Sequence, residues 1–227
     1  MHNQFTARVY RGVTLLLAAV VAAQLVFFAS RATAQESAQQ TVDVIDEATE
    51  RSIKQAQSAG HPVVALQTNL GTLHLALYAD KAPKSVENFL SYVNDGFYDG
   101  TVFHRVIEGF MIQGGGLDLR LQEKNTRPPV INEADNGLLN TRYTLALART
   151  GDPHSATSQF FINTADNEFL NHKSKTATGW GYAVIGKLVG GMRIADWMSK
   201  APTGPAGPFP SDVPITPLII KQAQLLE

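Results

Sequence analysis

The sequence predicts a mainly β fold, either an antiparallel barrel or a sandwich, with two helices. About eight short strand-like runs alternate with Gly- and Pro-containing turns, and only two segments show helical periodicity. Strand–helix–strand alternation, which a parallel sheet requires, is missing from the pattern. With 227 residues, of which 44% are hydrophobic and 17% charged, the chain can bury one sizeable core.

The predicted elements follow one another along the chain. Residues 63–68 and 73–78 form a predicted hairpin, and Pro83 opens a helix with an apolar stripe that ends at Gly96. Further strands are predicted over residues 101–106, 110–113, 143–148, 159–163, 182–189 and 215–225, and a second helix over residues 192–200. Residues 201–210 are rich in Pro and Gly, which predicts a loop.

The N-terminal 34 residues have the composition of an export signal. Three arginines and no acidic residue lie there, an uncharged apolar stretch spans residues 12–29, and Ala32-Thr33-Ala34 matches an A-x-A cleavage site. An uncleaved membrane anchor is the alternative, because the apolar stretch is long for a signal. Cleavage would leave 16 basic residues (19 minus 3) against 20 acidic ones, a net charge of −4 instead of −1. We therefore expect a protein of the periplasm or cell envelope, which contacts the membrane only through this segment if it is uncleaved.

Residues 35–60 are polar and small, and we interpret them as a linker or a short helix before a globular domain of residues 61–227.

The composition excludes several function classes. The absence of cysteine excludes disulfides, Cys-ligated metals and a thiol nucleophile, and the six histidines lack metal-ligand spacing. The near-neutral charge argues against nucleic-acid binding. Gly114-Gly115-Gly116 lacks the spacing of a phosphate-binding loop, and it predicts a tight bend or a close backbone approach.

The most informative segment spans residues 103–115. Strand alternation predicts that Phe103, Arg105 and Ile107 share one face and that His104 lies on the other as a hydrogen-bonded core residue. After Gly109, Met111 and Gln113 share a face. From these residues alone, Arg105 can be either a functional group or an arginine that extends from a half-buried strand past apolar neighbours.

The segment resembles the F-H-R-V-I-x-G-F-M-I-Q-G-G motif of the cyclophilins, which are peptidyl-prolyl cis–trans isomerases. A second block supports the resemblance, with residues 146–149, 155–162, 169–170 and 186–187 in the family's order. The similarity covers residue 63 to the C-terminus, and it is greatest to the exported bacterial members. It implies a closed eight-stranded antiparallel barrel capped by two helices, with a groove on the outer face for proline-containing polypeptides.

The resemblance also implies the roles of individual residues. Arg105 matches the catalytic arginine, and Gln113 matches the glutamine that braces it. The other expected groove positions are Phe110, Met111, Ala148, Arg149, Gln159, Phe161, Phe169, Leu170 and Tyr182. No metal, nucleotide or other cofactor is implied, and we expect a monomer. The alternative function is a chaperone module that binds prolyl peptides in the same groove without needing turnover.

Two departures from the family pattern concern the site. Phe169 replaces a tryptophan of the drug-sensitive members and has no N–H to donate, so we expect weak cyclosporin binding. Glu108 stands where the family usually has proline, which should loosen the bend after the strand without changing the site.

Overall fold

The computed structural model describes residues 46–226. The predicted export signal of residues 1–34 and the first part of the 35–60 segment lie outside the described residues. Within residues 46–226, no helix is both long enough and apolar enough to cross a membrane.

Eight antiparallel strands close into a barrel, which confirms the predicted fold class. The barrel strands are β1 (Val63–Thr68), β2 (Gly71–Leu77), β3 (Val102–Ile107), β4 (Met111–Gly114), β5 (Thr144–Leu147), β6 (Phe160–Asn163), β7 (Val184–Gly190) and, after the hairpin described below, β10 (Leu218–Leu226). Their order around the barrel is β1-β10-β3-β4-β6-β5-β7-β2. Since β2 pairs with both β1 and β7, no barrel edge is left open for pairing with another chain.

Residues 201–210, predicted as a loop, instead belong mostly to a second, two-stranded sheet. Strands β8 (Thr203–Ala206) and β9 (Phe209–Pro214) form a hairpin that turns at Gly207 and Pro208. The loop prediction was wrong because Pro and Gly are tolerated on the outer strands of a small sheet, where few ladder hydrogen bonds are needed. The hairpin packs beside β3, the strand that carries Arg105.

In the part of the chain that the structure describes, three α-helices pack on the barrel, one more than the two predicted to cap it. Helix α1 (Glu47–Ser58) shows that residues 35–60 include a short helix. Its N-terminus is capped by Asp46, whose Oδ1 accepts a hydrogen bond of 2.7 Å from the Thr49 N–H. The buried residues Ile53 and Ala56 of α1 pack against Val63 of β1 and its apolar neighbours, on the side of the barrel formed by β1, β2 and β7.

Helices α2 (Pro83–Asn94) and α3 (Met192–Ser199) correspond to the two predicted helices. The α2 N-terminus is held by Glu133, whose carboxylate accepts hydrogen bonds from the N–H groups of Lys84 at 3.2 Å and Ser85 at 2.8 Å. The interior of the barrel is filled by fully or nearly fully buried apolar side chains, among them Leu66, Leu75, Phe89, Phe103, Ile112, Leu145, Phe160 and Ile162. Four neighbouring strands, β3, β4, β6 and β5, therefore lie behind the outer surface where the site forms.

Candidate active site

Strands β3 and β4 form the base of the site, and β3 contains a bulge at His104. The register shifts by one residue between Phe103, which pairs with Gly114, and Arg105, which pairs with Gln113. Phe103 therefore points into the barrel core, and Arg105 points outward. The prediction that Phe103 and Arg105 share a face was wrong, because a bulge breaks the strict alternation of a strand. The prediction that Met111 and Gln113 share a face is confirmed, since both line the outer groove.

The outer surface of these strands carries a groove with a volume of about 330 Å³. Ten of the eleven residues predicted for the site line it: Arg105, Phe110, Met111, Gln113, Ala148, Arg149, Gln159, Phe161, Leu170 and Tyr182. The groove has four further lining residues that the sequence comparison did not assign, namely His104, Leu117, Glu123 and Phe209. The tertiary fold thus brings together side chains that are separated by more than 70 positions in the sequence.

The apolar end of the groove is a pocket on the outside of the barrel. Met111 and Phe161 are almost fully buried there, and Leu170 closes the pocket from a 3-10 turn formed by Glu168–Leu170. Phe110 and Tyr182 pack at the rim, with the Tyr182 ring edge-on to Phe161 at 5.6 Å between centroids. Such a concave apolar pocket fits a compact ring such as that of proline, because burial of its methylene groups is favourable.

Phe169 is the one predicted site residue that does not line the groove. Its side chain is 65% exposed, and its ring lies 5.4 Å from that of Phe110. Phe169 therefore extends the apolar surface beyond the pocket rim.

A pair of amide side chains lies beside Arg105. The Gln113 amide donates a hydrogen bond of 3.0 Å to the Oε1 of Gln159. The resemblance implied that Gln113 braces Arg105, but in the structure the Gln113 side chain is hydrogen-bonded to Gln159. Gln159 in turn packs on Gly116, where a Cβ atom would come within 2.4 Å of the Gln159 Cγ. This close approach confirms the prediction made for the Gly114-Gly115-Gly116 run.

Arg149 forms part of the groove wall. Its guanidinium lies over the Tyr182 ring, 4.5 Å from the centroid, and donates hydrogen bonds to the carbonyl oxygens of Gly181 at 2.9 Å and Thr150 at 2.8 Å. These contacts keep the arginine flat against the wall of the groove. Arg149 therefore shapes the groove while its charge stays close to any bound peptide.

His104 lies on the groove side of β3 with Arg105 and is only 4% exposed, so the prediction that it lies on the opposite face was wrong, because the bulge breaks the alternation. The Phe209 ring of the β8–β9 hairpin stacks on it with a centroid distance of 5.7 Å and an interplanar angle of 29°. Burial, with a smaller contribution from the Arg105 charge, lowers the pKa of His104 to about 4, so the imidazole is neutral near pH 7. The expected hydrogen bond of this histidine is made with the Val102 backbone, and it opposes the lowering of the pKa, whereas the buried Nδ1 has no hydrogen-bond partner.

Buried asparagines hold the pocket rim from behind. The Asn167 side chain donates to the carbonyl oxygen of Phe110 at 2.9 Å and to the Asn163 Oδ1 at 2.7 Å. Asn140 donates to the carbonyl oxygens of Leu170 at 3.3 Å and Tyr182 at 3.2 Å. These amides fix the backbone of three pocket residues, because each buried carbonyl needs a donor. Asn140 and Asn167 were not predicted from the sequence, since a lone asparagine in a loop indicates only a turn.

The groove combines one outward guanidinium, one amide pair and an apolar pocket. In the described part of the chain, no cluster of three His, Cys, Asp or Glu residues could hold a metal ion. This arrangement can bind an extended peptide and donate hydrogen bonds to it. The fold and groove together define a peptide-binding β-barrel protein.

Comparison with known proteins identifies the family. The model of the cyclophilin type peptidyl-prolyl cis-trans isomerases matches residues 63–224. The chain belongs to the cyclophilin family, and the enzyme class implied by its motifs, a peptidyl-prolyl cis–trans isomerase, is confirmed.

Bacterial relatives match over most of their length. The chain is 55% identical over 163 residues to peptidyl-prolyl cis-trans isomerase cyp18 of Streptomyces antibioticus, covering 72% of this chain and 98% of the relative. It is 53% identical over 164 residues to isomerase A of Dickeya dadantii, covering 72% and 84%. It is 49% identical over 165 residues to isomerase B of Escherichia coli, covering 73% and 100%.

Solved structures agree with this assignment. A Cryptosporidium parvum cyclophilin type isomerase shares 28% sequence identity and a TM-score of 0.59, with 74% of this chain and 98% of that chain covered. A second crystal structure of that protein was determined in the presence of the dipeptide Ala-Pro, with a TM-score of 0.58, 28% identity and coverage of 73% and 99%.

Proposed function

We propose that this enzyme isomerises X-Pro bonds in exported proteins as they fold, and that Arg105 is the hydrogen-bond donor that stabilises the twisted amide. The observation that carries the proposal is the position of Arg105, whose side chain is 44% exposed at the edge of the apolar pocket of Met111 and Phe161. A proline ring in that pocket would place its nitrogen on the side of the guanidinium. Proline-containing unfolded or extended polypeptides are therefore the proposed partners.

Amide rotation explains why these groups suffice. Resonance gives the C–N bond a rotation barrier of about 18–20 kcal/mol. When the amide twists, resonance is lost and the prolyl nitrogen gains a localised lone pair. A guanidinium that donates to this lone pair stabilises the twisted state more than either planar isomer, which lowers the barrier.

The arginine cannot account for the whole acceleration. A hydrogen bond to a charged group contributes about 1.5–3 kcal/mol net, whereas a millionfold acceleration needs about 8 kcal/mol. The remaining reduction of the rotation barrier must come from packing of the proline ring against Phe110, Met111 and Phe161, and from binding of the peptide backbone in a fixed position. Ala148, Arg149 and Gln159 line the part of the groove proposed to hold the residues before proline.

Replacement of the donor tests the catalytic proposal. Arg105→Ala is expected to lower kcat/KM on a short prolyl peptide by about 10- to 100-fold, because the donor to the twisted amide is lost while the pocket remains. A protease-coupled or NMR exchange assay measures the rate, and peptide affinity is measured separately. Unchanged kcat/KM in Arg105→Ala would contradict the catalytic role.

The same variant separates catalysis from peptide binding. If Arg105→Ala, expressed in cells that lack the wild-type protein, restores client folding despite its low kcat/KM, the chaperone module is the better description. If client folding fails in parallel with kcat/KM, turnover is the required property.

Export to the periplasm or cell envelope is supported by the sequence of residues 1–34 alone. The test is the mass of the N-terminal peptide of the protein isolated from the envelope fraction. A mature chain that begins at Gln35 supports cleavage, whereas an intact Met1 in the membrane fraction supports an anchor.

We propose a monomer as well, because a single chain supplies all the lining residues of the groove.

A further inference from the structure

The β8–β9 hairpin contacts the catalytic strand at two adjacent positions. Phe209 stacks on His104, and the Asp212 carboxylate lies 3.9 Å from the Nε of Arg105. Within the described part of the chain, Asp212 is the recorded ion-pair partner of Arg105. This hairpin, which was predicted as a loop, therefore lies next to the guanidinium of Arg105, the proposed catalytic group.

The backbone at Asp212 has a conformation that few residues adopt. Its φ is +67°, in the left-handed region, where a side chain costs about 1 kcal/mol or more unless the surroundings compensate. Asp212 lies in a stretch of β9 where the register with β8 is irregular, between the pairs Gly204–Val213 and Ala206–Phe209. Irregularities of this kind turn a side chain away from its usual direction, and here the carboxylate faces β3.

We propose that Asp212 is a positioning residue for Arg105. By attracting the Nε side of the guanidinium, the carboxylate limits its rotation and leaves the two terminal nitrogens free to donate to the substrate. A side chain that is 44% exposed would otherwise sample several rotamers, and each nonproductive rotamer lowers the fraction of competent enzyme.

The hairpin itself is well anchored, which this role requires. Val213, next to Asp212, is 6% exposed, and Phe209 is fixed by its stack on buried His104. At the turn, a Cβ atom on Gly207 would lie 3.1 Å from the Leu121 Cδ1, so the tip contacts the loop that also carries Glu123. The carboxylate is thus presented from a fixed support.

The test is Asp212→Asn, which keeps the shape of the side chain and tolerates a positive φ but removes the charge. We expect kcat/KM on a prolyl peptide to fall about three- to tenfold at low ionic strength, with a melting temperature close to that of the wild type. Added salt should bring the wild type down towards the variant, because it screens a partly exposed pair, while the variant should respond little. Asp212→Gly, which relieves the backbone, should give the same loss if Asp212→Asn does not fold.

A matched control and a double-mutant cycle make the result specific. Glu108→Gln removes another exposed carboxylate close to Arg105 in sequence and should leave kcat/KM unchanged. In the Arg105→Ala background, Asp212→Asn should have no further effect. Unchanged or increased kcat/KM in Asp212→Asn, an equal loss in Glu108→Gln, or an undiminished loss in the Arg105→Ala background would each overturn the proposal.

The inference rests on the proposed role of Arg105, and the two failures are distinguishable. Full activity in Arg105→Ala removes the proposed catalytic role. Loss of activity in Arg105→Ala with full activity in Asp212→Asn removes the positioning role alone.

Discussion

The side chains at the groove divide into those that line the pocket and those that hold the backbone of the pocket rim. Phe161 and Met111 are almost fully buried and so offer a pocket of fixed shape. Asn140 and Asn167 lie beneath the rim and bind its carbonyl oxygens. A substitution of a pocket side chain or of one of these asparagines should alter the site, because the pocket depends on the backbone position as much as on the side chains.

Phe169 should affect the affinity of the protein for cyclosporin. Because its exposed ring has no N–H group, we expect weak binding of cyclosporin, and Phe169→Trp should raise the affinity about tenfold through one added hydrogen bond. Titration monitored by calorimetry measures both. Tight nanomolar inhibition of the wild type would contradict the prediction, and Phe169→Leu controls for loss of the ring alone.

At the scale of elements, two neighbouring glycines after β4 have different roles, one in the stability of the fold and one in the shape of the site. Gly115 has a φ of +82°, and a Cβ atom there would lie 2.6 Å from the Phe160 Cε1 in the core. At Gly116 the Cβ atom would instead meet the flexible Gln159 side chain. Adjacent glycines therefore face different neighbours, one the barrel interior and the other the groove.

Paired substitutions test this difference. Gly115→Ala should lower the free energy of unfolding by about 1–3 kcal/mol or more, since both the backbone and the core resist the new methyl group. Gly116→Ala should cost less stability but displace Gln159 and its bond to Gln113, lowering kcat/KM severalfold. Denaturant unfolding and the isomerase assay distinguish the two effects. If Gly116→Ala left kcat/KM unchanged, the position of Gln159 would not matter for turnover.

At the scale of the whole molecule, the two histidines that are buried within residues 46–226 link folding stability to pH. Burial lowers the pKa of His74 and lowers that of His104 to about 4, against an ordinary value of 6.5. Between pH 6.5 and about 4, the unfolded chain binds a proton at position 104 that the folded chain excludes, and the lowered pKa of His74 acts in the same direction. Stability therefore falls as the pH decreases from about 6.5 towards 4, by on the order of 3 kcal/mol for His104 alone.

The variant His104→Gln tests this linkage. The slope of unfolding free energy against pH between 4 and 6.5 should be smaller than in the wild type, and His74 should account for part of what remains. Urea unfolding at a series of pH values measures the slope. An identical slope in the two proteins would show that His104 is not the group responsible.

Much of this architecture could be predicted from the sequence. Apolar periodicity placed the hairpin of β1 and β2 and the helices α2 and α3, because local spacing of apolar residues reflects which face is buried. The resemblance to the cyclophilins, which begins with the motif in residues 103–115, predicted eleven site residues, and ten of them line the groove. The prediction succeeds because a long motif retains its geometry within a family.

Only the tertiary structure revealed the bulge at His104, the β8–β9 hairpin and the pairing of Asp212 with Arg105. None of these follows from local spacing. A bulge depends on the register with a partner strand, and a Pro/Gly-rich segment becomes a strand only when a neighbour accepts its hydrogen bonds. The motifs were enough to identify the family and the chemical groups of the site, and the resemblance to that family implied the barrel. The fold decided which of those groups touch, because residues separated by more than 100 positions meet only when the barrel closes.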